Sequence, residues 1–377
     1  MTTRLNRLPV TVVTGFLGAG KTTLLRQLLL SSGLRLAVLV NEFGEVGIDG
    51  DLLRSCGFCP EEELEGRLVE LANGCLCCTV QDDFLPTMER LLERADQLDG
   101  IVVETSGLAL PEPLIAAFAW PEIRTRTRVN GVVAVVDGEA LAAGHVVANP
   151  EALEAQRLAD PSLDHATAIE DLFQEQLEAA DLVLVSRADS LDPAALAALQ
   201  DRLRPSLRPG TPVLPMERGQ IDPALVLGLS RPSTDVSHGG DHDHDDHHEH
   251  EHGHEHGHDD QHEHEHDHDH DHDHHDHTHV AMESLALNLP GVFDRERLEI
   301  SLRALIASGA LIRVKGRLWL PGKARPLQIQ GVGPRLECWF EADETPGTPK
   351  QDGLELVVLG FGLNPGQLEA QLKGAMT

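Results

Sequence analysis

The chain has 377 residues, enough for two domains with separate cores, and its 30 Lys plus Arg against 62 Asp plus Glu give a formal charge of −32. That balance excludes nucleic acid and anionic membrane surfaces as partners, because both require clustered cations. No stretch approaches the roughly 20 apolar residues of a membrane span, and residues 1–10 lack the apolar core and small-residue cleavage site of a secretory signal, so a cytoplasmic protein is expected.

From residue 9 to about 229, short apolar runs alternate with helical stretches, the pattern of a parallel sheet covered by helices. Strands are predicted over 10–14, 36–40, 100–104, 131–137, 181–186 and 212–215. Continuous runs such as Val-Val-Ala-Val-Val suit strands buried on both faces. Helices are predicted over 21–30, 82–95 and 193–203, the last with Asp192 as its cap and Pro193 in the first position. The fold class is therefore α/β, a doubly wound and mostly parallel sheet of the P-loop NTPase kind, in a first domain spanning 1–230.

Residues 231–279 form a linker of His alternating with Asp or Glu, with no apolar periodicity. Between His238 and His279 lie 20 of the 22 histidines and 16 acids with no Lys or Arg, half of the net charge. Such a segment cannot bury enough surface to offset its ordering entropy, so disorder in the metal-free state is expected. Imidazoles near their neutral form offer weak metal sites, which suits collection of metal; a solvated charge run is the plain alternative. Residues 280–377 form a smaller α+β domain, with strands predicted over 282–289, 311–314, 317–320, 327–330, 336–340 and 354–361 and helices over 294–308 and 365–373.

Gly15-Phe-Leu-Gly18-Ala19-Gly20-Lys21-Thr22 follows an apolar strand and opens a helix, the context that a P-loop requires. Backbone N–H groups of such a loop curl around phosphates, Lys21 reaches the β- and γ-phosphates, and the Thr22 hydroxyl ligates Mg²⁺, with Thr23 beside it. Ile101-Val-Val-Glu104-Thr-Ser-Gly107 ends another apolar run in an acid. Glu104 suits orientation of Mg²⁺-bound water and the Gly107 amide suits the γ-phosphate, although a carboxylate ending a strand is often an ordinary edge residue. After the strand at 182–185, Asp189 stands where GTPases place the Asp that reads guanine. Ser186 and Arg187 replace the usual Asn and Lys, and Asp189 can equally start a turn.

Five of the six cysteines fall between Cys56 and Cys78, which in a cytosolic chain reads as metal or redox chemistry. Cys75, Cys77 and Cys78 follow the turn dipeptide Asn73-Gly74. Three thiolates on one loop supply most of a tetrahedral shell for Zn²⁺, Co²⁺ or Cu⁺, whereas a run of buried small hydrophobes is the structural alternative. Cys56 and Cys59 form a C-x-x-C pair that approaches a structural zinc spacing with them, and also suits a loop. Cys338 lies in an alternating segment and is expected to be packed.

The segments at 15–23, 40–49 (Val-Asn-Glu-Phe-Gly-Glu-Val-Gly-Ile-Asp), 70–80 (Glu-Leu-Ala-Asn-Gly-Cys-Leu-Cys-Cys-Thr-Val) and 103–107 together resemble the CobW family of P-loop GTPases, as does the C-terminal region. The resemblance implies a GTPase that hydrolyses GTP to GDP and phosphate, with Gly18, Gly20, Lys21 and Thr22 holding phosphate and Mg²⁺, Glu104 in the Walker B element and Asp189 reading guanine. Cys75, Cys77 and Cys78 match its metal loop, and Glu42 and Glu45 fall in a switch that senses the γ-phosphate. The stretch 81–88 resembles CobW proper, which implies delivery of Co²⁺ for cobalamin synthesis to a client metalloenzyme such as cobaltochelatase. The alternatives are a zinc-allocating chaperone of the same family and a passive His-rich metal store. A homodimer is compatible with the resemblance.

Overall fold

The structure is a computed structural model that describes residues 7–40, 68–70 (backbone alone), 84–151, 153, 169–228, 282–340 and 352–377. The first sheet is built from β1 (Leu8–Thr14), β2 (Leu36–Val40), β3 (Leu68–Glu70), β4 (Gly100–Glu104), β5 (Thr127–Asp137), β6 (Leu182–Ser186) and β7 (Val213–Pro215). Their order is β3-β2-β4-β1-β5-β6-β7, and every neighbouring pair is parallel. The α/β expectation holds. β3 was not expected: three residues carry too little periodicity to be read as a strand.

Covering helices are α1 (Lys21–Ser31), α2 (Leu85–Leu92), α3 (Pro111–Ala117), α4 (Pro121–Arg124), α5 (Gly138–Ala142), α6 (Ile169–Ala179), α7 (Pro193–Leu203) and α8 (Pro223–Leu227). α7 starts as its sequence dictates, with the Asp192 carboxylate accepting from Ala195 N at 2.7 Å. α2 ends at Leu92, before the predicted end at 95, and a 3₁₀ turn follows at Ala95–Gln97; residues 82 and 83 of that prediction lie outside the described residues. β1 shows why the sheet is apolar throughout. Val10 and Val12 pack on one face with Phe84, Met88 and Ile101, while Val13 packs on the other with Leu24, Leu28 and Val226.

The second sheet is antiparallel, in the order β11-β10-β9-β12-β8, from β8 (Glu283–Pro290), β9 (Arg313–Trp319), β10 (Leu327–Val332), β11 (Arg335–Phe340) and β12 (Gly353–Gly360). α9 (Arg295–Ala307) and α10 (Pro365–Lys373) cover one face through Leu298, Leu302, Leu305, Leu368 and Leu372. The two strands predicted at 311–314 and 317–320 are one strand, β9. Lys315-Gly316 falls between those two predicted strands, yet Gly316 pairs with Ile329 of β10 and Leu356 of β12, and only glycine fits there because a Cβ would overlap the Glu355 carbonyl. Cys338 is half-buried in β11, packed against the core of this sheet as expected, and burial pushes its thiol up to about 12.

Polar contacts join the two sheets. The fully buried Asp181 accepts from Arg208 Nη2 and Arg335 Nε, both at 2.6 Å, and from Val132 N at 2.9 Å. Arg313 donates to the Leu225 and Val226 carbonyls of α8, and Arg128 lies 3.8 Å from the Trp339 ring centre. Among the described residues no helix is long and apolar enough to cross a membrane.

Candidate functional site

β1 lies between β4 and β5, so the loop after it opens at the point where the strand order reverses, the place where α/β sheets bind ligands. That loop runs into α1 through Gly15, Gly18 and Gly20, all at positive φ. At Gly15 a side chain is excluded twice, by φ 137° and by the Val135 carbonyl that a Cβ would overlap. α1 has no side-chain cap and no acid in its first turn, so its N-terminal amides and partial positive charge stay available to an anion. Ala19 is buried and its amide donates to Phe16 O at 3.2 Å, which closes the loop.

Lys21 is 6 % exposed. Its ammonium donates to Phe16 O at 3.1 Å and stands 3.8 Å from Glu104 Oε1, itself on a residue 4 % exposed at the end of β4. Thr22 is half-buried beside it and Thr23 is exposed. The loop after β4 is pinned to β1, with Thr105 N donating to Val13 O at 2.9 Å and Thr105 Oγ1 to Thr14 Oγ1 at 3.0 Å. Gly107 then passes so close to the P-loop that a Cβ would lie 2.7 Å from Leu17 N. The structure thus brings Lys21, Thr22, Glu104 and Gly107 together.

The other wall comes from the loops after β6 and β7. Arg187 adopts the left-handed conformation (φ 52°), donates from Nη2 to Gly18 O at 3.2 Å and pairs with the buried Asp137 that ends β5. That pairing holds the guanidinium protonated beyond its ordinary range. Arg187 therefore ties the loop carrying Asp189 both to the P-loop and to the end of β5. Ser186 Oγ donates to Val136 O at 3.1 Å. Asp189 is exposed on the rim, 3.8 Å from Arg218 Nε. Between these walls is a cleft of about 630 Å³, lined by Gly18, Lys21, Thr22, Arg187, Asp189 and Arg218 among others.

Three residues of the site escaped the sequence reading. Asp137 had a signal, an apolar run ending in an acid, the same signal that marked Glu104. Arg218 and Gln176 had none; the buried Gln176 amide donates to Gly107 O at 3.3 Å and Ala109 O at 3.2 Å and so holds the loop after β4 from behind. Glu42, Glu45, Cys56, Cys59, Cys75, Cys77, Cys78 and the histidine-rich 238–279 lie outside the described residues. Among the described residues no group of three or more His, Cys, Asp or Glu side chains is arranged to hold a metal.

Residues 9–215 match the family described as CobW/HypB/UreG, nucleotide-binding domain, and residues 282–376 match the cobalamin synthesis protein cobW C-terminal domain. The zinc chaperone CobW of Pseudomonas aeruginosa is 44 % identical over 382 residues, 99 % of this chain and 92 % of that protein. The zinc chaperone CobW of a Sinorhizobium species is 41 % identical over 357 residues, 94 % of this chain and 93 % of that protein. The zinc chaperone YjiA of Escherichia coli is 32 % identical over 60 % of this chain and 63 % of its own length. With the phosphate-binding loop, the acid at the end of β4 and both domain matches in place, the chain is a P-loop GTPase of the CobW/HypB/UreG family carrying a CobW C-terminal domain.

Proposed function

We propose that this protein is a cytoplasmic, GTP-dependent zinc chaperone that carries Zn²⁺ on Cys75, Cys77 and Cys78 and passes it to a client metalloenzyme. The observation that carries this reading is the register of the first sheet's edge. Glu70 of β3, Val40 of β2 and Glu104 of β4 are Cα partners in one row. Glu42 is two residues beyond Val40 and Cys75 five beyond Glu70, and a strand step spans at most about 3.6 Å per residue. At most about 18 Å of chain therefore separates Cys75 from Glu70, which supports a metal loop on the same side of the sheet edge as Glu104.

In this reading the Phe16 carbonyl and Glu104 hold the Lys21 ammonium until the β- and γ-phosphates take the place of Phe16 O. The P-loop amides of Gly18, Ala19 and Gly20 and the N-terminus of α1 bind the same oxygens. The Thr22 hydroxyl and the Glu104 carboxylate are hard oxygen donors and fit Mg²⁺, which would neutralise the charge between the β- and γ-phosphates. Asp189 accepts from guanine, and Gly107 closes over the γ-phosphate end. Glu42 and Glu45 sense that end and add carboxylates near the thiolates. A change in Zn²⁺ affinity between the two nucleotide states requires about 1.4 kcal/mol for each factor of ten.

Zinc takes precedence over cobalt because the relatives that match over nearly their whole lengths are named zinc chaperones. The cobalt reading rested on the resemblance at 81–88 alone. Competition titration of Zn²⁺ and Co²⁺ into the full chain, loaded with Mg²⁺ and either GDP or a non-hydrolysable GTP analogue, tests both parts. Zn²⁺ is expected to bind one site more tightly than Co²⁺, with an affinity that differs between the nucleotides and is lost in Cys77→Ser. Equal affinity in both nucleotide states would refute the coupling, and preference for Co²⁺ would restore the cobalt reading. Deleting 238–279 is expected to lower the number of metal ions bound and to leave GTP hydrolysis intact.

A further inference from the structure

The loop after β7 holds an arginine in a conformation that its side chain disfavours. Glu217 and Gln220 pair across a tight turn, with Gln220 N donating to Glu217 O at 2.7 Å. The two central residues, Arg218 and Gly219, both have positive φ (50° and 79°), as in a type I′ turn. Glycine meets that demand freely and arginine does not, and other residues held in this region cluster at ligand sites. The turn is also wedged in place. A Cβ on Gly219 would lie 2.7 Å from Thr23 O in the first turn of α1, and one on Gly20 would lie 3.9 Å from the end of the buried Met216 side chain. The turn is therefore seated against the P-loop end of α1, and it presents Arg218 at the cleft.

What Arg218 faces there is Asp189. Its Nε stands 3.8 Å from Asp189 Oδ2, beyond hydrogen-bond length, so the guanidinium keeps donors and the carboxylate keeps acceptors for a ligand that meets both. The cleft runs from Lys21 and Thr22 to this pair, so a nucleotide with its phosphates on the P-loop brings its base here. Guanine carries the N1–H and 2-amino donors next to the O6 and N7 acceptors. The donors suit a carboxylate, and the acceptors suit the arginine fork, the pairing by which arginine recognises guanine in nucleic acids. Adenine presents an amino donor where guanine has O6, and a guanidinium has no acceptor to meet it. The neighbouring polar groups are already engaged: Ser186 Oγ donates to Val136 O, and Arg187 to Asp137 and Gly18 O.

We propose that Arg218 determines base specificity, its guanidinium donating to O6 and N7 of guanine while the Asp189 carboxylate accepts from N1–H and the 2-amino group. This rests on Asp189 reading guanine, and the two claims are separable. Equilibrium titration of the full chain with Mg²⁺ compares GDP, ADP, XDP and 7-deaza-GDP, which has a C–H in place of N7. Arg218→Gly suits the turn, so the variant is expected to match the parent in far-UV circular dichroism and in Tm without nucleotide. Its preference for GDP over ADP is expected to fall roughly tenfold, through weaker GDP binding, the exposed rim making the contact worth less than a fully enclosed one. The parent is expected to bind 7-deaza-GDP about threefold more weakly than GDP, and the variant to bind the two alike. Asp189→Asn is expected to turn the preference from GDP to XDP, because its amide can donate to the 2-oxo group of xanthine. If that preference does not move, the guanine reading fails and the proposal with it. If it moves, and Arg218→Gly keeps the parent's GDP-over-ADP preference and its 7-deaza difference, the role of Arg218 alone is overturned. An equal loss for GDP, ADP and 7-deaza-GDP in Arg218→Gly overturns it as well, since that is what a purely structural arginine would give.

Discussion

Arg187→Ala isolates the contact that joins the base-reading loop to the P-loop. The side chain is 41 % exposed and its partner Asp137 is 3 % exposed, so the two ends of the interaction lose different amounts. A charge-assisted hydrogen bond is worth about 1.5–3 kcal/mol where water cannot replace it. At the exposed Arg187 end water replaces much of that, which leaves about 1 kcal/mol for the 3.2 Å bond to Gly18 O. That bond positions the P-loop against Asp189, so its loss is expected to weaken GDP binding by roughly five- to tenfold. At the Asp137 end the carboxylate keeps its bond from Ala140 N at 3.1 Å but loses its cation, a separate cost of about 1–2 kcal/mol in folding stability. Equilibrium titration with a fluorescent GDP analogue reads the first effect and urea unfolding of the apo protein reads the second. Arg187→Lys keeps one charge in reach of one partner and should fall between. An Arg187→Ala protein that binds GDP with unchanged Kd would refute the view that this arginine does the work of the lysine it replaces.

Gly107→Ala puts a Cβ 2.7 Å from Leu17 N, so the loop after β4 must retreat from the P-loop; single-turnover GTP hydrolysis is expected to slow by on the order of a hundredfold with far-UV circular dichroism unchanged. Asp181→Ala removes a fully buried carboxylate and leaves Val132 N without its acceptor. Arg208 and Arg335, whose side chains are 39 % and 22 % exposed, rehydrate in part, so a loss of about 3 kcal/mol is expected in urea unfolding. The depressed pKa of Arg313 sets a pH dependence. Below about 9 the folded state carries the full penalty of the buried cation, and as pH rises from there toward the unfolded value of 12.5 the folded state binds fewer protons and gains stability. Arg313→Met should lack that gain, so in urea unfolding the stability of the variant minus that of the parent is expected to fall as pH rises from 8 to 10.5.

The nucleotide half of the site was legible because each part is a local pattern: a continuous apolar strand, glycines at fixed offsets, then Lys21 and Thr22 at a helix start. α7 was legible to the residue for the same reason, since Asp192-Pro193 specifies its own cap. What the sequence could not supply was sheet order. Glu104 and Asp137 both end apolar runs, and one faces Lys21 while the other clamps Arg187 only because β4 and β5 flank β1 on opposite sides. α8 was missed although Asp222-Pro223 carries the same signal as Asp192-Pro193, because five residues show no helical period. Gly316 misled for a different reason. A glycine required by a close strand approach looks, in one dimension, like a glycine required by a turn.

α8 also decides where nucleotide-driven motion has to be sought. Its carbonyls are shared between the two sheets: Val226 O accepts from Thr11 of β1 and from Arg313 of β9, Leu225 O from Arg313, and Leu227 O from Asn130 of β5, whose own amide oxygen accepts from Gln330 of β10. Ile312 and Val332 complete the joint by entering the same core as Val13 and Leu24. A displacement of the second sheet relative to the P-loop strand would break these bonds inside a dry interface, leaving buried donors unmatched at about 1–3 kcal/mol each. The second sheet therefore moves with β1. Among the described residues the opposite edge shows no such tie: β2 meets β4, and β3 meets only β2 among the described strands, with the chain carrying Glu42 and Glu45 leaving one and the chain carrying the three thiols leaving the other. Under the proposed function, the device that would convert GTP into a change of metal affinity belongs at that edge, beside the row that includes Glu104, where its motion would not strain the joint at α8.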